Sequence, residues 1–144
     1  MSKIKLADSQ KEIDAILQLR YRVLRKPWNQ TIETATDELE ATGLNALIKD
    51  EKGNIIACGR LHEKENKVGQ IRFMAVDESY RGKGLGKLTT DFLEEKGKSL
   101  GLKKVELQAR ENAVKFYESC GYTIKEKTFL LWGQIQHYLM EKRI

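Results

Sequence analysis

Apolar positions in this chain switch between a period of two and a period near 3.6, and the switches lay out its elements. KIKLAD (residues 3–8) alternates apolar and polar and predicts a short strand. Ser9 followed by Glu12 is a capping-box pattern that opens a helix. Ile13, Ile16, Leu17, Val23 and Leu24 give that helix one apolar face, and the single proline, Pro27, ends or follows it. Residues 27–44 are polar and irregular, with room for one further turn or short helix. Three strand-like runs come next, ALIKD, NIIACGRLHEK and KVGQIRFMAV, with turns at Gly53–Asn54 and Glu65–Asn66. A second helix carries Leu85, Leu88, Phe92 and Leu93 on one face and stops at Gly101. KVELQA alternates as a strand, ENAVKFYESCG reads as a short helix, and TIKEKTFLLW and QIQHYLMEK are two closing strands joined at Gly133. The order combines a parallel crossover with antiparallel hairpins, so the expected class is α/β, with a central mixed sheet of about seven strands flanked by helices on both faces. A chain of 144 residues fits a single domain, 1–144.

The second helix opens on VDESYRGKGLGK (76–87), in which Gly82, Gly84 and Gly86 alternate among Arg81, Lys83 and Lys87. A strand, a glycine-rich basic turn and a helix start form a pyrophosphate cradle. Glycines let backbone approach the ligand, and the free N–H groups and dipole of the first helical turn favour an anion. Spacing selects among phosphate motifs. A P-loop needs four residues between its first glycine and the Gly-Lys pair, then Ser or Thr; here three residues separate Gly82 from Gly86, and Leu88 follows Lys87. The dinucleotide fingerprint Gly-x-Gly-x-x-Gly is not met either. The register that matches is Arg-x-x-Gly-x-Gly, through Arg81, Gly84 and Gly86, with Val76 five residues before the arginine. This resembles the acetyl-CoA loop of the GNAT acetyltransferases.

A second run carries the resemblance further. Ala113, Phe116, Tyr117, Gly121 and Tyr122 match the family pattern Ala-x-x-aromatic/aliphatic-Tyr-x-x-x-Gly-aromatic. LQARENAVKFYESCGY, with LRYRVLRKPW and TDELE upstream, is most similar to the ElaA-like branch of that family. The resemblance covers nearly the whole chain and implies a GNAT-like acyl-CoA N-acyltransferase fold. It implies an N-acetyltransferase that moves the acetyl group of acetyl-CoA (coenzyme A) to a primary amine by direct attack. It also implies roles. Tyr117 faces the cofactor sulfur and protonates the leaving thiolate, a task within reach of a phenol. Arg81, Gly82, Lys83, Gly84, Leu85, Gly86 and Lys87 bind the pyrophosphate. The strand before the turn splays from its neighbour, the pantetheine arm pairs with Phe73, Met74, Ala75 and Val76, and an N–H near Met74 or Ala75 holds the oxyanion. The chain departs from the family at one point. An asparagine three residues before Ala113 commonly holds the pantetheine arm, and here that position is Arg110, with Asn112 two residues later. Both are carried as candidates, with Phe116 beside them.

Composition narrows the classes. Hydrophobic residues make up 40% of the chain, with one proline, which is globular composition. No apolar run has the length of a membrane span, and MSKIKLADSQ has no signal-peptide core, which points to a cytoplasmic protein. Cys58 and Cys120 lack metal-type spacing and read as buried free thiols; with two histidines, His62 and His137, no metal site is expected. The net charge of +5 raises nucleic acid as a partner, but bases and acids interleave and no aromatic stacking pattern accompanies them. The concentrated charge lies on the glycine turn, which a polyanionic cofactor explains. The expected partner is a small-molecule or peptide amine, with a homodimer as the possible assembly.

The amine must lose a proton, so a base is needed. His137 is favoured, since the ElaA-like branch shows a similar histidine near its end; His62, Glu63 and Glu33 are the alternatives. Asp37, Glu38 and Glu40 are candidates for holding a cationic amine, or else form a solvated helix end. Trp28 and Trp132 are candidates for the cleft wall. Two other readings stay open: a non-catalytic acyl-CoA-binding regulator, and a transferase using a longer acyl chain.

Overall fold

The computed structural model describes residues 3–144. Seven strands form one sheet: β1 (Lys3–Leu6), β2 (Leu44–Lys49), β3 (Ile55–Glu65), β4 (Val68–Val76), β5 (Lys104–Arg110), β6 (Thr123–Leu131) and β7 (Ile135–Arg143). Their spatial order is β1-β2-β3-β4-β5-β7-β6. All neighbours are antiparallel except β4 and β5, which are linked by the crossover through helix α2 (Leu85–Ser99). Helix α1 (Gln10–Arg20) covers one face, and α2 with the short α3 (Val114–Ser119) covers the other. No helix of the described residues is long and apolar enough to cross a membrane.

The local signals act as read, with two differences. Ser9 Oγ accepts from the Glu12 N–H at 3.2 Å, and the Glu12 carboxylate accepts from the Asp8 N–H at 2.9 Å, so the capping box closes. α1 does not run straight to Pro27. It relaxes into a π-turn over Tyr21–Arg25 and a 3₁₀ turn over Lys26–Trp28. In α2, Leu88 is 41% exposed, contrary to the expected apolar face. Among the residues α2 buries are Leu85, Thr89, Leu93 and Gly97. Each threonine hydroxyl that the helix buries, Thr89 and Thr90, donates to a carbonyl one turn back, so period counting on apolar residues alone misplaces this face.

The irregular segment after α1 is tied down by charge. Arg60 is fully buried and holds Asp37 through two bonds of 2.8 Å each. Arg20, 1% exposed, reaches Glu40 at 2.6 and 3.1 Å, the Ala35 carbonyl at 2.9 Å and Asn45 Oδ1 at 2.8 Å. Asp37 and Glu40, read as candidate amine ligands, are therefore committed to internal arginines. The Arg60 hydrogen bond holds the Asp37 carboxyl down at about 2. Asp37→Asn is expected to lower unfolding free energy by about 3 kcal/mol, because it removes the two-bonded counter-charge of a buried guanidinium and leaves it only Glu40 at 3.5 Å. Since the folded pKa lies below the unfolded one, this stabilisation is present above pH ~4 and is lost as pH falls towards ~2. Urea titration of both proteins at pH 7 and pH 3 measures it; equal stabilities at pH 7 would refute the assignment.

Candidate active site

β4 and β5 pair only from Val68↔Lys104 to Ile71↔Leu107. Beyond Ile71 the strands part, as expected from the resemblance. The cause is local. Between Cys58↔Ala75 and Arg60↔Arg72 a single β3 residue, Gly59, opposes two β4 residues, Phe73 and Met74. Phe73 has φ +57°, so a bulge bends β4 away from β5. The Asp77 N–H pairs back to Ile56 of β3 at 2.8 Å. By strand alternation, the N–H groups of Val76 and Met74 point the other way, into the side that β5 leaves open.

The open strand leads directly into the glycine turn. Gly82 and Gly84 have φ +77° and +79°, and a Cβ at either would meet nothing within 4 Å. Glycine is needed there for backbone conformation, and the space beside it is free. Gly84 occupies the N-cap of α2 with no side chain to cap it, so the first N–H groups of the helix are left for a ligand. Gly86 has a different reason: a Cβ would lie 2.8 Å from Phe116, so the glycine lets α3 pack on the start of α2. Arg81 and Lys83 are exposed and make no ion pair among the described residues, while Lys87 pairs with Asp91 at 2.9 Å.

Tyr117 lies in α3, edge-on to Phe116 and Tyr122 at 5.0 and 5.9 Å between ring centres. It is 7% exposed, and burial raises the pKa of its phenol, so the proton stays on. No described residue hydrogen-bonds its hydroxyl. Asn112 sits exposed in the turn before α3. The Arg110 guanidinium donates to the Leu24 carbonyl at 2.9 Å and lies over the Trp132 ring at 5.9 Å.

His137 pairs in register with Arg110 across β5 and β7. Its Nδ1 lies 2.9 Å from the Ile135 carbonyl, which requires the proton on Nδ1 and leaves the Nε2 lone pair free in the neutral ring. The Phe129 ring stacks on it at 4.5 Å. Burial lowers its pKa, the backbone bond opposes that, and Arg110 and Arg25 lower it further. His62 is held differently. Its Nε2 bonds Gln70 Oε1 at 3.0 Å and its Nδ1 is buried without a partner. Glu33 and Glu63 are exposed. Trp132 stands at the site in the β6–β7 turn, whereas Trp28 ends the 3₁₀ turn after α1, half-buried.

The structure also gathers side chains that sequence reading missed. Arg20, Arg25, Arg60 and Arg72 all lie over the Phe73 ring, at 4.4–5.7 Å from its centre. The signal in LRYRVLRKPW was visible, but nothing in it said that two of its arginines turn inward.

The comparisons agree with this geometry. The model of the acetyltransferase (GNAT) family matches residues 13–122. Glucosamine 6-phosphate N-acetyltransferase of Arabidopsis thaliana is 36% identical over 93 residues, 65% of this chain and 56% of its own length. A Bacillus subtilis relative at 37% identity is matched over 50% of its length, so the chain spans about half of each of these two. Among solved structures, Escherichia coli ElaA superposes with a TM-score of 0.84 at 21% identity, covering 99% of both chains. An aminoglycoside 6′-N-acetyltransferase complexed with coenzyme A superposes with 0.80 at 15% identity, covering 98% of this chain and 96% of its own. The bulged and splayed β4, the uncapped glycine turn and these matches together place the chain in the GNAT acetyltransferase family.

Proposed function

We propose that this protein is an N-acetyltransferase that moves the acetyl group of acetyl-CoA to a primary amine within a ternary complex. The observation that carries the reading is the continuity of two unsatisfied backbone rows: the free edge of β4 from Phe73 to Val76, and the uncapped start of α2 at Gly84. An acyl-CoA needs both, a strand-like partner for its pantetheine arm and a positive cradle for its pyrophosphate. The glycine turn, from Arg81 to Lys87, supplies the cradle. Met74, Ala75 and Val76 supply the strand edge, and Asn112, Phe116 and Arg110 border the gap from α3 and β5.

The thioester supplies an electrophilic carbonyl carbon and a thiolate leaving group. The Met74 N–H, on the side of β4 that β5 leaves open, donates to the carbonyl oxygen as charge develops there. His137 Nε2 takes a proton from the amine as its nitrogen bonds to carbon. Tyr117 gives its proton to the sulfur as the carbon–sulfur bond breaks. Proton count and charge then balance, giving amide, free thiol, imidazolium and phenolate, which return to their starting forms through solvent. Two buried free thiols fit a reducing compartment and so support a cytoplasmic location. Exposed Ile124 and Leu130 on the edge strand β6 support a dimer.

A screen of amines with acetyl-CoA, reading thiol release and acetylated product, tests the function. Propionyl- and succinyl-CoA in the same assay report the acyl preference. Tight CoA binding with no thiol release for any amine would favour the non-catalytic regulator. The base has its own test. A base with lowered pKa is neutral at pH 7, so wild-type kcat/KM should show a proton-linked fall only below pH ~6.5 in addition to the titration of the acceptor. His137→Gln is expected to abolish that limb, leave the acceptor's own titration, and cost on the order of 10²-fold in rate. An unchanged limb would assign the base elsewhere.

A further inference from the structure

Charges on the two faces of the gap do not balance. The glycine turn and Tyr117 lie on the α2–α3 face, while Phe73, Trp132, His137 and Arg110 gather with Leu24 and Arg25 on the α1 face. Five arginines converge there against two carboxylates. Asp37 and Glu40 serve Arg60, Arg72 and Arg20. Among the described residues, Arg25 and Arg110 have none. Arg25 bonds only main-chain oxygens, Thr34 at 3.1 Å and Leu24 at 3.2 Å, and Arg110 bonds the same Leu24 carbonyl. Both guanidiniums stand over Trp132, at 5.2 and 5.9 Å from its centre.

We infer that the acceptor amine carries an oxyanion group, a carboxylate or phosphate, that seats between Arg25 and Arg110 beside Trp132. Arg25 is 93% buried, at 7% exposure, yet has no counter-ion among the described residues; a buried unpaired guanidinium is costly, and an anionic ligand supplies the missing charge. Two arginine forks that share one carbonyl keep further N–H donors in hand, the kind of donor that carboxylate and phosphate oxygens accept. Aromatic stacking holds the forks flat and does not cancel their charge. Burial, then the neighbouring Arg110, Arg72 and Arg20, pushes the Arg25 pKa down to about 10, which records the same uncompensated charge. The cations of the glycine turn belong to another element, so the coenzyme's pyrophosphate does not account for this cluster. An anion here also sits beside His137, which places the amine of the same molecule next to the proposed base.

This inference rests on the acetyltransferase reading for its role, and its test does not. Isothermal titration of the CoA-saturated protein would compare glucosamine 6-phosphate with glucosamine, and a set of L-amino acids with their amides. The first pair reports phosphate and the second carboxylate. In at least one pair the anionic member should bind tenfold or more tightly than its neutral partner, the scale of a charge-assisted bond (~1.5–3 kcal/mol). Arg25→Gln should remove that preference and leave neutral binding unchanged, with a circular-dichroism melt to confirm folding; Arg25→Met, which keeps the apolar stem and removes the charge, is the second variant if the first fails to fold. Equal binding within both pairs, or no binding of any anionic amine at millimolar concentration, overturns the inference. Thiol release is scored separately. An anion preference without thiol release upholds the anion site and sinks the transferase reading. Thiol release from neutral amines alone, with no anion preference, does the reverse.

Discussion

Gly84→Glu is expected to yield a folded protein that no longer binds coenzyme A. Gly84 has φ +79°, and a Cβ there would touch nothing within 4 Å, so the substitution costs the fold only the left-handed backbone penalty of roughly 1–2 kcal/mol. The same open space is where the pyrophosphate is proposed to lie. A glutamate would place a carboxylate on the uncapped N–H groups of α2 and cap the helix with its own charge. The coenzyme then loses its donors and meets like charge. Losing two charge-assisted bonds of about 1.5–3 kcal/mol each predicts a fall in affinity of 10² or more. Calorimetric titration with CoA, beside a thermal melt, measures both halves. Gly84→Asn separates the causes, because asparagine tolerates the left-handed region and adds no charge. It should weaken binding less than glutamate. Unchanged affinity in a folded glutamate variant would remove the phosphate assignment of the turn.

Tyr117→Phe is expected to slow acetyl transfer by on the order of 10²-fold while acetyl-CoA binding stays nearly the same. The ring sits between Phe116 and Tyr122, so phenylalanine keeps the packing. No described residue bonds the hydroxyl, so its removal strands no protein partner. What disappears is one proton, held at working pH because burial raises the phenol's pKa. A group used only in the transition state lowers kcat and kcat/KM together. If product release limits wild-type turnover, the steady-state loss shrinks, so single-turnover rates are the measurement. A wild-type single-turnover rate would take Tyr117 out of the mechanism and leave the fold and the pyrophosphate cradle untouched.

Much of this site was written in short stretches of chain. Alternation and the capping box located the strands and α1, because those signals depend on residues within one turn or one hairpin. The glycine turn was legible for the same reason. The turn takes left-handed backbone and leaves the helix start uncapped, and glycine at fixed spacing provides both. The Phe116–Gly86 contact was not legible as packing, since it joins two helices separated by a strand. The bulge was hidden as well. Phe73 adopts φ +57° although its side chain prefers other regions, and the cause lies in the β3 register opposite it.

By itself the sequence determined the mixed sheet, its flanking helices and the position of the glycine turn, because periodicity, caps and glycine spacing act locally. Only the tertiary structure decided the electrostatics of the acceptor side. Asp37 and Glu40 looked available to an amine until Arg60 and Arg20, 20 or more residues away in the chain, took them. Arg25 and Arg110 lie 85 positions apart and share one carbonyl of Leu24. Which charges remain unpaired depends on long-range partners brought together by the fold, and composition and periodicity do not record who those partners are.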